Sequence, residues 1–242
     1  MSQGHKSAEI ESRSPRLLAY EAQKPFVSGP VHFVEWATVV AMLEAIALPK
    51  GSRILDIGCG GGWTSLFLAE AGYTVTGYDL VPSNIELARR RADRWHHDVR
   101  FEVADMEDLP DGEAADAALV FEALHHSTRH RAALSAIRRR LREDGWLLLA
   151  EPTWLHRISP GAFAARRNLG WVERGFTARG LRRDLHDAGF REPRRFFQPT
   201  RPYERRWRGL AWQLVQLAAA NAWVAPGGHL WLAAQRDRTP AG

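Results

Sequence analysis

His125 and His126 stand side by side just beyond an apolar run, Ala115 to Phe121, and Glu122 and Glu151 sit at the ends of neighbouring apolar runs. Histidine titrates nearest working pH, so an imidazole at a strand tip can take a proton from a reacting group. The pair can equally cap the strand and pack structurally. Each glutamate reads either as a partner for an acceptor amine or hydroxyl or as a solvated strand-end carboxylate. Upstream, Ile54-Leu55-Asp56-Ile57-Gly58-Cys59-Gly60-Gly61-Gly62-Trp63 sets alternate glycines behind an acid, and Asp79 ends the next apolar run. Residues without Cβ let a backbone turn sharply, approach a ligand and aim its N–H groups at a carboxylate or phosphate. A carboxylate at the tip of the next strand then suits ribose hydroxyls.

A nicotinamide dinucleotide site would need Gly-x-Gly-x-x-Gly, but Trp63 stands where the third glycine should fall. An acid followed by alternating glycines resembles instead the first motif of the class I S-adenosylmethionine-dependent methyltransferases. Three later segments match that family in order: Phe101 to Met106, Ala115 to His126 and Gly145 to Pro152. The resemblance is specific over roughly residues 50 to 152 and architectural elsewhere. It implies S-adenosyl-L-methionine as cofactor, with S-adenosyl-L-homocysteine as product. It further implies a cofactor site built from Asp56, Gly58, Cys59, Gly60, Asp79, Leu80, Asp105, Met106 and Phe121. In that site Asp56 lies near the cofactor ammonium, Asp79 binds ribose, Asp105 reaches the adenine amino group and Met106 flanks the ring. His126 is preferred over His125 as catalytic base, because similar small-molecule enzymes place a histidine at the second position beside the acceptor.

The chain has 242 residues, enough for one substantial α/β core with no second domain required. Its single cysteine excludes an internal disulfide and a multi-cysteine metal site. Adjacent histidines without a nearby carboxylate cluster make a poor divalent site, so no metal is expected. Met1 to Pro15 lacks the apolar core of a secretory signal, and the apolar stretch Leu210 to Ala225 is short of a bilayer span, so a cytoplasmic location is expected. Residues 1–120 hold 11 basic and 18 acidic side chains, against 22 and 10 in the remainder. Only three of the basic residues are lysines. Such asymmetry can mark an anionic partner or membrane surface, or merely solvated helix faces such as Arg138-Arg139-Arg140.

Alternating elements must position these residues. The pattern predicts a helix over 31–48, strands at 53–58, 73–79, 99–104, 115–121 and 145–151, and helices at 63–71, 82–96 and 130–142. Strands alternating with helices predict a Rossmann-like, doubly wound, mostly parallel sheet; the resemblance makes it seven-stranded with an antiparallel last strand. The division is then N-terminal cap helices at 1–50, a cofactor-binding core at 51–152, and acceptor-side inserts with the last strands at 153–242. Residues 153–176 show no clear strand. Thr177 caps a helix to Ala188, a strand starts at Phe190, a helix covers 201–222 and the last strand covers 229–235. The 201–222 helix, with Trp207 and Arg205, reads as a core-facing helix, or more sharply as a lid, a dimer contact or a shallow membrane-surface helix.

Phe121-Glu122-Ala123-Leu124 stands where the family's amino-methylating nucleic-acid branch carries an Asn-Pro-Pro-Tyr type motif, which argues against nucleic acid. The favoured acceptor is a hydroxyl of a small molecule or glycan. RNA methylation and a cofactor-binding module without turnover are the alternatives. His32 and His156 are lesser candidates on flanking elements. His5, His96, His97, His130 and His186 read as solvent-facing.

Overall fold

The computed structural model describes residues 2–11, 14–27, 31–196 and 229–238. Three helices open the chain: α1 (Ser2–Glu11), α2 (Pro15–Gln23) and α3 (Val31–Ala45). The alternating core follows as β1 (Arg53–Ile57), α4 (Trp63–Glu70), β2 (Thr74–Asp79), α5 (Pro82–Trp95), β3 (Arg100–Val103), β4 (Ala115–Phe121), α6 (His130–Arg140) and β5 (Leu141–Pro152). After β5 come α7 (Pro160–Leu169), α8 (Ala178–Asp187), β6 (Arg194–Phe196) and β7 (His229–Gln235). No described helix is long and apolar enough to cross a membrane.

The sheet has seven strands in the order β3-β2-β1-β4-β5-β7-β6. Strands β1 to β5 pair in parallel, while β7 runs antiparallel to both β5 and β6. Both faces are covered, which is why the central strands read as continuous apolar runs rather than as alternation. One core packs β1, β4 and β5 against α6 and α8 through Leu55, Leu124, Leu134, Ile137, Leu147, Leu181 and Leu185. The other packs the opposite face against α3, α4 and α5 through Met42, Ile54, Leu66, Ile85, Leu119 and Leu148. Burying each such side chain is worth about 1.5–3 kcal/mol, so the two layers hold the carboxyl ends of β1, β2 and β4 in fixed register.

Element ends depart from the sequence expectation by up to three residues, with three larger differences. Strand β5 starts at Leu141, where Ala115 pairs with it before the register shifts and Ala117 pairs with Trp146. Residues 153–176 hold a helix, α7, which the sequence reading missed. Pro160 opens it at a position where no N–H is needed, and the Ser159 hydroxyl accepts a hydrogen bond from the Ala162 N–H at 3.2 Å. The strand expected from Phe190 shortens to Arg194–Phe196, and Phe190 keeps only an isolated bridge to Arg236. Thr177 caps α8 as expected, accepting from the Gly180 N–H at 3.0 Å. The expected 201–222 helix, with Arg205 and Trp207, lies outside the described residues.

Candidate functional site

The turn between β1 and α4 is forced by contacts that exclude side chains. Gly58 has φ +73°, and a Cβ there would lie 2.3 Å from the Ala123 Cβ. Gly62 has φ +81°, and a Cβ there would lie 2.7 Å from the Ala88 Cβ of α5. The turn therefore packs against both the end of β4 and a neighbouring helix, as only glycine permits. Arg91 of α5 ties it to the N-terminal helices by donating to the Gly61 carbonyl at 2.8 Å and the Glu21 carbonyl at 3.0 Å.

The N–H groups of Gly58, Cys59 and Gly60 bond within the protein rather than aiming at a ligand as the sequence suggested. Gly58 and Cys59 donate to the Tyr78 carbonyl at 2.7 and 3.0 Å, and Gly60 donates to Asp79 Oδ2 at 2.8 Å. Asp79 Oδ1 accepts from the Val81 N–H at 2.9 Å and the Asn84 amide at 3.0 Å. The carboxylate is thus locked in orientation at the tip of β2, on the wall of a cavity it shares with Gly58, Cys59, Gly60 and Leu80. Burial pushes the Cys59 thiol well up, so it is no nucleophile at neutral pH.

Asp56 sits behind the turn and contributes nothing to the cavity wall, unlike the placement beside an ammonium that the resemblance implied. The Thr64 and Ser65 hydroxyls donate to its Oδ2, each at 2.6 Å, so it clamps the first turn of α4. Burial pushes its carboxyl up to about 6 against those two hydrogen bonds. A folded pKa above the unfolded one means stability that is complete below pH ~4 and lost as pH rises through ~6. Asp56→Asn, neutral throughout, should therefore gain on the native protein by on the order of 3 kcal/mol between pH ~4 and ~7. Urea unfolding at the two pH values checks this, and a pH-independent difference between the proteins would refute it.

Asp105 and Met106, just beyond β3, also line the cavity. Asp105 Oδ2 accepts a short hydrogen bond from Lys6 of α1, whose Nζ also donates to Glu107 at 2.7 Å. Glu107 in turn accepts from the Ser127 and Thr128 hydroxyls and the Arg129 N–H at 2.8–2.9 Å. Burial alone would raise the Glu107 carboxyl, but these donors hold it well below the usual carboxylate range. One buried acid thereby joins α1, the β3 loop and the loop after β4.

Past Phe121, itself on the cavity wall, the chain turns through a 3-10 segment, Leu124–His126, built on Glu151. Glu151 is 0% exposed, so the solvated reading fails. It accepts from the Ala123, Leu124 and His125 N–H groups at 3.0, 2.7 and 3.1 Å, and from His125 Nδ1 at 2.9 Å. Burial would lower the His125 pKa, but Glu151, Glu173 and Glu122 together raise it. His126 turns the other way, donating from Nδ1 to the Val172 carbonyl at 3.0 Å with its ring edge against Trp171. Both imidazoles line the cavity, with ring centroids 4.0 Å apart.

The segment after β5 brings in residues the sequence did not single out. Glu173 is buried with Oε2 2.7 Å from His156 Nε2 and 3.9 Å from His125 Nε2, and with Oε1 3.7 Å from His126 Nδ1. It supplies the carboxylate whose absence in sequence argued against metal. Also lining the cavity, Glu122 accepts a short hydrogen bond from His229 at the start of β7. Burial would raise the Glu122 carboxyl, but His229 holds it at about 2 and is itself raised in return. His32 is buried and bonded to Glu35 at 3.0 Å, and His130 is bonded to Asp184 at 2.9 Å, so neither faces solvent freely. No local pattern marks Glu173 or His229, because both arrive through long connections.

Asp79, Asp105, Glu122, His125, His126, His156, Glu173 and His229 line one cavity of about 600 Å³, within the ordinary range for a cofactor and small acceptor. Its donor set fits an S-adenosyl group. Asp79 presents a carboxylate fixed in orientation, Asp105 and Met106 line the same wall, and the glycine turn admits close approach. The imidazoles of His125 and His126 line the cavity as well.

A methyltransferase-domain family model matches residues 32–192. Ubiquinone biosynthesis O-methyltransferase of Xanthomonas campestris pv. campestris is 33% identical over 159 residues, covering 65% of this chain and 63% of that protein. The same-named protein of Idiomarina loihiensis is 32% identical over 132 residues, 52% of this chain and 53% of that one. The S-adenosyl-L-methionine-dependent Diels-Alderase iccD of Talaromyces variabilis is 37% identical over 111 residues, 44% of this chain and 38% of that protein. The chain thus spans roughly half the length of the first curated relatives it matches. Magnesium protoporphyrin IX methyltransferase from Synechocystis PCC 6803 shares the fold with a TM-score of 0.65 at 20% identity, covering 96% of this chain and 97% of that one. With the family model spanning well over half of the chain, and with the glycine turn, Asp79 and strand order in place, the chain belongs to the methyltransferase-domain family, the class I S-adenosylmethionine-dependent methyltransferases.

Proposed function

We propose that this chain transfers a methyl group from S-adenosylmethionine to a hydroxyl of a small molecule or glycan. The observation that carries the reading is the shared cavity, whose wall holds the Asp79 carboxylate together with the imidazoles of His125 and His126. When bound, the cofactor supplies a methyl carbon already activated by a sulfonium. The chain's own work is then to align the acceptor and receive its proton. His126 is suited to receive it, because its Nδ1 proton is held by the Val172 carbonyl and Nε2 becomes the accepting nitrogen. Glu151 fixes the His125 ring, and Trp171 and His156 bound the acceptor side. The names of the O-methyltransferase relatives favour oxygen as the methylated atom.

The relative named as a Diels-Alderase favours a second reading, in which the cofactor is held without methyl transfer. Incubation with S-adenosylmethionine carrying a labelled methyl and a panel of phenols, catechols and sugars separates the two. Labelled product with stoichiometric S-adenosylhomocysteine supports transfer; cofactor binding with neither product supports the second reading. An RNA acceptor would instead show steep loss of binding with added salt.

The cofactor site has its own check. Asp79→Ala removes the acceptor for ribose hydroxyls and should weaken S-adenosylhomocysteine binding by ~1–3 kcal/mol, roughly 5- to 150-fold. Isothermal calorimetry reads this directly. Unchanged affinity would place the ribose elsewhere.

A further inference from the structure

We infer that His125, His156 and Glu173 form a binding site for a divalent transition-metal cation of the zinc class, open on one side to the cavity. One donor atom from each of the three lies within 4.8 Å of the others. His156 Nε2 and His125 Nε2 stand 2.7 and 3.9 Å from Glu173 Oε2, bracketing the donor spacing of about 3.3 Å that tetrahedral zinc with bonds near 2.0–2.1 Å requires. Shifts of about half an ångström would bring both histidine-to-carboxylate spacings to that value. Two imidazoles and one carboxylate with a fourth position open is the donor set of catalytic zinc, where a water or substrate atom completes the shell.

The surroundings hold the donors as a metal site requires. A ligating imidazole is oriented by a partner on its other nitrogen, and His125 donates from Nδ1 to the buried Glu151 at 2.9 Å, turning Nε2 toward Glu173. Glu151 is fixed by three main-chain N–H groups, so the orientation is set before any ion arrives. The loop carrying Glu173 is pinned on both sides: the Arg174 N–H donates to the His125 carbonyl at 3.1 Å, and Arg166 donates to the Glu173 carbonyl at 3.2 Å. His156 rides on the 3-10 segment Trp154–Ile158, directly after β5. Glu35, Glu122 and His229 form a second cluster of similar compactness. There Glu122 and His229 already neutralise one another in a short hydrogen bond.

An ion at this place would face the acceptor end of the cavity, where it could draw a hydroxyl oxygen toward the methyl carbon. That use rests on the methyl-transfer reading; the binding itself does not. The test therefore reads binding without an acceptor. Full-length protein stripped with chelator is titrated with Co²⁺, and the visible bands of four-coordinate cobalt are followed, then displaced with Zn²⁺. The expected result is one equivalent bound. His156→Ala and Glu173→Gln should each weaken it by more than the roughly 10- to 100-fold that loss of an outer partner costs. S-adenosylhomocysteine affinity, measured by calorimetry, should stay unchanged in both variants, which shows that the fold is kept. His229→Ala should bind cobalt as the native protein does. Absence of stoichiometric binding, binding that survives both substitutions, or loss of the cobalt bands on His229→Ala would each overturn the assignment.

Discussion

If His126 is the proposed base, His126→Ala is expected to lower turnover by ~10²–10⁴-fold with little change in cofactor affinity, the size expected when a positioned proton acceptor is removed. His126 reaches the cavity from the 3-10 turn after β4, with its ring set by the Val172 carbonyl and a perpendicular contact with Trp171. Neither contact involves the glycine turn or Asp79, so S-adenosylhomocysteine should bind the variant almost as it binds the native chain. His125→Ala is the necessary comparison, since the rings lie 4.0 Å apart and both face the cavity. Steady-state rates with an acceptor that must lose a proton decide the matter. If both variants keep near-normal turnover, methyl transfer proceeds by alignment alone and neither histidine is the base.

Glu151→Ala should produce the largest loss of stability. Its carboxylate is fully buried and accepts three main-chain N–H groups and one imidazole N–H. Each donor left unpaired costs about 1–3 kcal/mol, and because neighbouring losses do not add fully, the total should be about 3–5 kcal/mol. For a chain of this size that corresponds to a fall in Tm of roughly 6–20 °C. Glu151→Gln keeps one accepting oxygen but sets an NH₂ against the remaining donors, so an intermediate loss is expected. Thermal unfolding followed by circular dichroism measures both. A Glu151→Ala protein melting within ~2 °C of the native chain would show that the carboxylate does not hold the turn.

Sequence by itself determined the alternating core, the glycine turn and the strand-tip acids that line the cavity. Buried parallel strands must be continuously apolar, so β1, β4 and β5 announce themselves locally. The turn after β1 demands glycine, since a Cβ at Gly58 would strike Ala123. Asp79 and Asp105 follow because a strand tip is fixed once its strand is. Even there tertiary structure decided one role: Asp56 faces Thr64 and Ser65 rather than the cavity, a direction that strand position alone does not set. Helix α7 was missed because its start depends on the Ser159 cap and Pro160 within a segment of weak apolar periodicity.

The cluster of Glu122, His125, His156, Glu173 and His229 was decided by the fold. Glu173 and His229 reach the cavity because the segment after β5 folds back, with Phe176 bridging Thr153, and because β7 inserts antiparallel beside β5. His125 acquires its partner Glu151 across two strands adjacent in space but 26 residues apart in the chain. Spacing along a sequence records which side chains share a strand or helix face. It carries no record of which loops meet, because such meetings are settled by how the packed layers close over one another.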